Sequence, residues 1–558
     1  MKQQERLALF TEEPTDEGHF ASVAEKLRAA PRAAQAFQGK YYTPDQISGH
    51  VLESVCERLL ERIAGGQRKI SVCDPFAGDG RLVRQLITRV AAVDSDLEWD
   101  VECWDSDGDA LKVANQELVA LRRRLNLAMH VRVREMDSFH WFANHPDLTF
   151  DVVVTNPPWE HIKPDSRHLS TLSDEDRYTY IDRLKTLDRF LADNYPAGVP
   201  TKRYGGWGLN LSRVGAELAM RLTRADGLGG IVLPASVLAD DVSTGLRAWF
   251  FDNVEIFDIA MFPAEMRLFA ADVASTTLAY SRRKPLGLRA RFTTYDAREK
   301  ETALDVELSN TELGGLSFAI PAGAGATGFW SVQHLGDNPR FGDLERLSGG
   351  LWAGRELDET RVAEHLREDQ PASFIKGRMI GRFTVIDVPT HGVYKPGWNP
   401  PTSVSNERIV WRDVSRTNQK RRVQATVIPA GWVAGNSLGV AYFKDGNHDR
   451  LLWLLGVMSS LAFEIQLRAL LMTGHVTLSS LRKVHIPMQG AMPKLDDSLV
   501  ERVKRTLNGD HAAEAECEAI TASMYGFTPD ELQLITASFP KLTAQERETI
   551  AQTAKRLR

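Results

Sequence analysis

The tetrapeptide Asn156-Pro157-Pro158-Trp159 closes the apolar run 150–155 and has the residue types to grip a planar amino group. The Asn156 carboxamide oxygen and the Pro157 carbonyl can both accept hydrogen bonds from one NH2. Such a grip favours a pyramidal nitrogen, whose lone pair becomes available as a nucleophile. Two prolines fix the backbone and remove competing N–H donors. Trp159 offers a face on which a base swung out of a duplex can stack. The chemistry this suits is in-line attack of nitrogen on a sulfonium methyl group, with neither a cysteine nucleophile nor a metal.

Upstream lies a second constellation, suited to a cofactor. In Ile70-Ser-Val-Cys-Asp74-Pro75-Phe76-Ala77-Gly78-Asp79-Gly80 a strand ends at Asp74 and a glycine-bearing turn leads into a helix. That places the turn at the C-terminal edge of a sheet, where open α/β sheets bind ligands. Gly78 and Gly80 let the backbone approach a ligand closely. The spacing is neither GxGxxG nor GxxxxGK[ST], so a pyrophosphate is disfavoured. An acid at the start of the turn repels phosphates and attracts an ammonium or sulfonium. The next strand ends in Asp105 and Asp107, about 30 residues on, where a carboxylate accepts both hydrogen bonds of a ribose diol. Asp105 is the candidate and Asp107 the alternative. The third strand ends near Asp137 and Phe139, an acceptor for an adenine amino group and a ring to pack on it. Together the three strand ends describe a pocket for an adenosine without phosphates, and S-adenosyl-L-methionine fits that description.

With these motifs in order, the chain resembles the γ-class N6-adenine DNA methyltransferases, the group that includes TaqI-like, type I and type IIG or type IIS-associated modification enzymes. Gly39-Lys40-Tyr41-Tyr42-Thr43-Pro44 is similar to that family's motif X, which implies contacts from Tyr42, Thr43 and Pro44 to the methionine end of the cofactor. Asp74, Pro75, Phe76, Gly78 and Gly80 correspond to motif I, Asp105 to motif II, Asp137 to motif III, and Asn156, Pro157, Pro158 and Trp159 to motif IV, with Asn156 also beside the cofactor. The resemblance implies an aromatic that stacks on the flipped base near Leu268-Phe269; Phe269 is the candidate, with Phe262 in reserve. It covers roughly residues 39–285, with weaker likeness around 451–487 and at Tyr525-Gly526-Phe527-Thr528-Pro529-Asp530-Glu531. Tyr or Phe is commoner than Trp at the fourth position of motif IV, and PPW also occurs in N4-cytosine enzymes. Asn156 favours adenine.

The elements that must position these residues read as follows. Candidate strands at 69–73, 99–104, 129–134, 150–155, 229–233, 254–260 and 275–281 alternate with amphipathic stretches, the pattern of an α/β fold with a parallel sheet. Several are near-continuous apolar runs, as expected for strands covered on both faces. The expected architecture is a Rossmann-like methyltransferase domain (39–330) carrying an insertion with short helices at about 160–210. A helical arm (1–38) precedes it. A mixed α/β target recognition domain (331–490) and a helical C-terminal region (491–558) follow. Pro321-Ala-Gly-Ala-Gly-Ala-Thr-Gly328 reads as a linker, and 449–471 as one strong helix. Thr528-Pro529-Asp530-Glu531 is a helix start, with a hydroxyl cap and a proline in the first turn.

Composition sets the outer limits. Of 558 residues, 43% are hydrophobic and 25% charged, which excludes a disordered, collagen-like or coiled-coil chain. Four cysteines without a CxxC pair exclude a disulfide scaffold and disfavour a cysteine zinc site. The polar N-terminus and the absence of a long apolar run point to a cytoplasmic protein without a membrane partner. Net charge is −6, yet residues 371–425 carry a local excess of seven positive charges with aromatics interleaved. That suits a phosphate backbone and exposed bases. Arg378, Arg382, Arg412, Arg416, Asn418, Gln419, Lys420, Arg421 and Arg422 are the candidate DNA contacts, Arg for guanine and Asn or Gln for adenine. Lys163, Arg167, Lys202 and Arg203 in the insertion are further candidates. Only 38 residues precede motif X and no nuclease constellation follows. The expectation is therefore a monomeric modification enzyme acting on double-stranded DNA, with a restriction endonuclease or defence subunits on other chains. Two alternatives stay open: methylation of an amino group on RNA or protein, and a cofactor-binding, non-catalytic subunit of a defence complex.

Overall fold

The computed structural model describes residues 43–557, apart from 166–168, 171, 204–205, 270–272, 297, 333–337, 359, 361–362, 368–372, 394–398 and 417–418. The arm 1–38, Tyr42, Arg167 and Asn418 lie outside the described residues. The chain divides into two compact units. The first comprises residues 1–235, 249–285 and 289–305; the second comprises 236–248, 286–288 and 306–558. The sequence division at 330 therefore falls later than the structural one, and the expected recognition and C-terminal regions share one unit.

The first unit is built on a nine-stranded sheet in the order β3-β2-β1-β4-β5-β7-β6-β8-β9. Its strands are β1 (Lys69–Asp74), β2 (Glu98–Asp105), β3 (Ala128–Glu135), β4 (Phe150–Thr155), β5 (Thr223–Pro234), β6 (Glu255–Phe262), β7 (Ser275–Ser281), β8 (Gly287–Tyr295) and β9 (Glu301–Ser309). Strands β1–β5 run parallel to one another, but β7 runs antiparallel to both β5 and β6, so the sheet is mixed and not the expected parallel one. The 3-2-1-4-5 half is the doubly wound order expected of a Rossmann-like fold, and it puts the ends of β1 and β4 side by side. All six residues of β4 are buried, which is why Phe-Asp-Val-Val-Val-Thr reads as a nearly unbroken apolar run.

Helices α1 (Asp45–Ala64), α2 (Arg81–Ala91), α3 (Gly108–Leu125), α4 (Ser138–Asn144), α5 (Asp174–Asn194) and α6 (Leu211–Leu222) connect or flank these strands. Val51, Val55 and Leu59 of α1 and Leu82, Leu86 and Ile87 of α2 join Val72, Val101, Val152 and Val154 in one buried core. Three helices start where a strand ends, and each start has a local cause. Gly80 adopts φ 71° before α2, Asp107 caps α3, and Asp137 caps α4. The sheet edge that carries the motifs is therefore also an edge of helix N-termini. The insertion differs from expectation: its main element is a single 21-residue helix, α5, capped by Ser173.

In the second unit a four-stranded sheet pairs Leu351–Gly354, Leu438–Phe443, Arg408–Arg412 and Ala425–Ile428 in that order, all antiparallel. A helical part holds its own core around Ile465, Ile535 and Phe539. The helix expected over 449–471 is two, His448–Met458 and Leu461–Leu470, bent by 62°. The break has a physical cause. Ser460 caps the second helix, and the Ser459 carbonyl is taken by the guanidiniums of Arg382 and Arg421. The 321–328 segment is no free linker either. Gly323 and Gly325 lie so close to Leu461–Leu470 that a Cβ would sit 2.2 Å from the Arg468 carbonyl and 2.5 Å from that of Ile465. The start signal at Thr528 is a capping box with Glu531.

Candidate active site

The ends of β1, β2 and β4 and the α4 start enclose a cavity of about 290 Å3 in the first unit. Its wall contains Phe76, Gly78, Asp105, Asp137, Asn156, Pro157, Pro158 and Trp159 together with Asp107 and Phe139. Two motifs that stand about 80 residues apart in the chain thus share one pocket, because β1 and β4 are neighbours in the sheet.

The glycine turn is held from below and from the side. Asp74 is buried, and its Oδ1 accepts from the Phe76 N–H at 3.0 Å and the Thr155 hydroxyl at 2.7 Å. Burial pushes its carboxyl up to about 7 despite these donors. Asp74 sits beneath the turn and is not part of the cavity wall, so its direct work is to lock the turn to β4. Gly78 donates its N–H to Asp105 Oδ2 at 2.8 Å, and Asp105 Oδ1 accepts from the Asp107 N–H at 2.9 Å. Asp105 lines the cavity at the end of β2. Asp107, the alternative, caps α3 by accepting from the N–H groups of Asp109 and Ala110 through Oδ1. Gly80 is required twice: its φ is 71°, and a Cβ there would stand 2.9 Å from Ala114 Cβ.

Asp137 Oδ1 accepts from the N–H groups of Phe139 and His140, and Oδ2 faces His140 Nδ1 at 3.1 Å. Phe76 and Phe139 face each other with centroids 5.2 Å apart, and Tyr195 fixes Phe139 through its hydroxyl on the Phe139 carbonyl at 2.6 Å. Ser138 bonds the Pro75 carbonyl. Thr43 is buried, and its carbonyl accepts from Arg81; it and Pro44 start α1 and stand outside the cavity wall, as do Pro75 and Gly80.

Beyond Trp159 the chain is clamped. The Leu211 N–H donates to the Glu160 carbonyl at 2.8 Å and Ile162 N–H to the Leu209 carbonyl at 2.9 Å, around a His161–Asn210 bridge. The insertion thus closes at its base and delivers α6 under the tetrapeptide. Phe269 packs on Trp159, centroids 4.7 Å apart at 59°, and is itself buried in the core. Phe262 is stacked on Tyr295 at 4.9 Å instead.

Residue-by-residue reading of the motifs misses Gly215 and Glu160. A Cβ at Gly215 of α6 would stand 2.4 Å from Pro157 Cβ and 3.2 Å from Phe76. The glycine lets the helix press both motifs together. Its signal is a glycine inside a helical pattern, a placement that costs about 1 kcal/mol relative to alanine and marks close approach. Glu160 lines the cavity directly after Trp159.

The basic stretch needs correction. Arg421 is buried and bonds Glu464 at 2.9 Å and Glu518 at 2.6 Å. Burial works against ionisation of Glu464, yet Arg421 and Arg468 hold its carboxyl below the usual value. Arg422 is fully buried on the carbonyls of Ser415 and Thr473, Arg382 bonds Glu514 and Glu518, and Arg412 bonds the Ile380 carbonyl. These four arginines hold the second unit together and present no free fork to a nucleic acid. The sequence reading fails here because charge density along a chain does not record the acids that meet it from distant helices. Arg378, Arg416 and Lys420 are exposed, Lys420 beside Glu546. In the insertion, Arg203 pairs with Asp188.

Residues 22–186 match the family model described as N-6 DNA Methylase. That segment runs through the glycine turn and the tetrapeptide and ends within α5. No curated protein matches the chain. Among solved structures the chain is similar to a putative class I S-adenosylmethionine-dependent methyltransferase from Listeria monocytogenes, at 17% identity over 48% of this chain and 73% of that one, with a TM-score of 0.31. It is also similar to the type IIG restriction endonuclease BpuSI (13% identity, 95% and 68% covered, TM-score 0.42). A third is the type IIL restriction-modification enzyme MmeI in complex with DNA (11% identity, 91% and 76% covered, TM-score 0.47).

Proposed function

We propose that this chain, which carries an N-6 DNA methylase segment over residues 22–186, is a site-specific DNA methyltransferase that modifies the exocyclic N6 of adenine. One observation carries the reading: the amino-gripping tetrapeptide and the strand-end carboxylates Asp105 and Asp137 line the same cavity. S-adenosyl-L-methionine is the cofactor in this reading. The wall fits it: among its described residues it offers carboxylates and aromatic rings and no lysine or arginine. That donor set suits a cation joined to an uncharged nucleoside and not a polyphosphate. When bound, the cofactor supplies an electrophilic methyl group.

The chain's own residues do the rest. Asp105 accepts from the ribose diol, Asp137 accepts from the adenine of the cofactor, and Phe76 and Phe139 form an aromatic corner for that ring. Asn156 and the Pro157 carbonyl hold the target amino group, and Trp159, backed by Phe269, stacks the flipped target base. Gly215 keeps Pro157 against the Phe76 side of the pocket. Double-stranded DNA is the partner, with exposed Arg378 and Arg416 placed to meet its phosphates and Lys420, paired with Glu546, a third candidate. The biological setting is the modification arm of a restriction–modification or phage-defence system.

Purified chain, tritiated S-adenosylmethionine and unmodified DNA test the reaction. Tritium recovered as N6-methyladenine after nuclease digestion is expected. Label recovered only as N4-methylcytosine would contradict the acceptor, and label on RNA or protein alone would contradict the substrate class.

A further inference from the structure

Glu160 differs from every other carboxylate in the cavity. Asp105, Asp107 and Asp137 each hold backbone N–H groups. The Glu160 main chain is fixed by the bond from Leu211, but its side chain Oε1 is buried and no donor among the described residues reaches it. Burial raises its carboxyl above the ordinary value.

The charged groups on the surrounding elements are occupied elsewhere or exposed. On α6, Arg213 serves the carbonyls of Gly198 and Gly208, and Glu217 holds the Gly198 N–H and Arg221. On α5, Asp188 pairs with Arg203, and Arg183 and Lys185 are exposed. On β4, Asp151 pairs with Arg224 and Ser71. His161 is exposed. An unmet buried acceptor is costly, and the residue that carries it lines the same cavity as Asn156 and Pro157.

Attack forms the N–C bond with the nitrogen lone pair while the methyl–sulfur bond breaks and leaves its pair on sulfur, so positive charge moves from the sulfonium to the amino nitrogen. Asn156 and the Pro157 carbonyl accept hydrogen bonds but are too weakly basic to take a proton. We infer that Glu160 is the proton acceptor of the transfer, an assignment that rests on reading this site as an amino-group methyltransferase centre. As the N–C bond forms, the N–H bond breaks and its electron pair stays on nitrogen, which ends neutral, so loss of the base slows the transfer itself. An O–H bond forms at Oε1, and the proton leaves to water with product release. A carboxylate partly withdrawn from solvent is a stronger base than one on the surface, which suits it to the task.

The test uses Glu160→Gln and Glu160→Asp with tritiated S-adenosylmethionine and a pool of PCR-amplified DNA, under single turnover. If wild-type protein transfers no methyl group, the functional reading fails and the inference falls with it. Given wild-type transfer, E160Q is expected to slow the step by about 100-fold and to lose its rise with pH, while cofactor binding by calorimetry stays unchanged. E160D is expected to restore part of the rate and the pH limb. An independent readout is infrared difference spectroscopy of the ligand-free protein. A carboxylic-acid C=O band should disappear as pH rises above the ordinary carboxylate range, and E160Q should lack it. The comparison with E160Q is needed because Asp74 also titrates high. A wild-type rate and pH profile in E160Q, or an unchanged infrared band, would overturn the assignment. Should the glutamine variant fail to fold, a displaced pH limb in E160D supports the assignment and an unmoved limb overturns it.

Discussion

The Thr155 hydroxyl donates to Asp74 Oδ1 at 2.7 Å inside the sheet, joining the residue before the tetrapeptide to the residue that begins the glycine turn. The glycine turn and the tetrapeptide are therefore joined by a buried bond between adjacent parallel strands. Removing it by Thr155→Val leaves the Asp74 carboxyl short of a donor at full burial. The expected loss is about 1–3 kcal/mol in urea unfolding. An unchanged midpoint would mean that the bond does not organise this edge.

Asp74 also makes stability depend on pH. Its ordinary value is 3.8 and burial raises it to about 7. The unfolded chain therefore releases this proton first as pH rises. The contribution is fully present below about pH 4 and is lost as pH climbs through 7, on the order of 4 kcal/mol for a three-unit difference. Asp74→Asn removes the ionisation, so its stability should fall less between pH 4 and 7 than that of the wild type, as read from denaturant midpoints across that window.

Asn156→Ala and Asp105→Ala should separate grip from binding. The first is expected to abolish methyl transfer and leave cofactor affinity, by calorimetry, near that of the wild type. The second is expected to weaken cofactor binding at least tenfold, equivalent to about 1.4 kcal/mol. It removes a diol acceptor and also the partner of the Gly78 N–H. Loss of cofactor binding in both variants alike would contradict the division of roles.

Gly215→Ala places a methyl group 2.4 Å from Pro157 Cβ. Helix propensity alone favours alanine, so a stabilised protein with full turnover would refute the close-approach argument. The expected result is a loss of about 1–3 kcal/mol with a fall in kcat larger than any change in cofactor affinity.

Much of the first unit is legible in the amino-acid sequence. All seven candidate strands exist, because buried parallel strands need apolar runs and the turns between them need Gly, Pro and Asp. The wall residues Gly78, Asp105 and Asn156 are legible too, since each sits just after or at the end of a strand. Three things are not. The 449–471 helix reads as one because Ser459 and Ser460 are tolerated in helices, and only the arginines that take the Ser459 carbonyl make the break. The glycines of 321–328 look like flexibility but serve close approach to a neighbouring helix. Arg382 and Arg421 look like part of a polyanion surface until Glu464, Glu514 and Glu518 arrive from 40 to 140 residues downstream.

That last relationship makes opposite forecasts for neighbouring arginines. Arg421→Ala breaks a buried ion pair and should cost about 3–5 kcal/mol in unfolding experiments. Arg378→Ala and Arg416→Ala should stay within about 0.5 kcal/mol of wild-type stability. Each should lower the slope of DNA affinity against salt by about one unit if it meets a phosphate. Equal stability losses at all three positions would contradict the assignment.

Single-molecule methylation sequencing of DNA from cells expressing the chain, beside cells expressing Asn156→Ala, tests the central claim most directly. N6-methyladenine in one short sequence motif with the wild type, and none with the variant, is the expected result. No modified adenine in either, or the same mark in both, would contradict it.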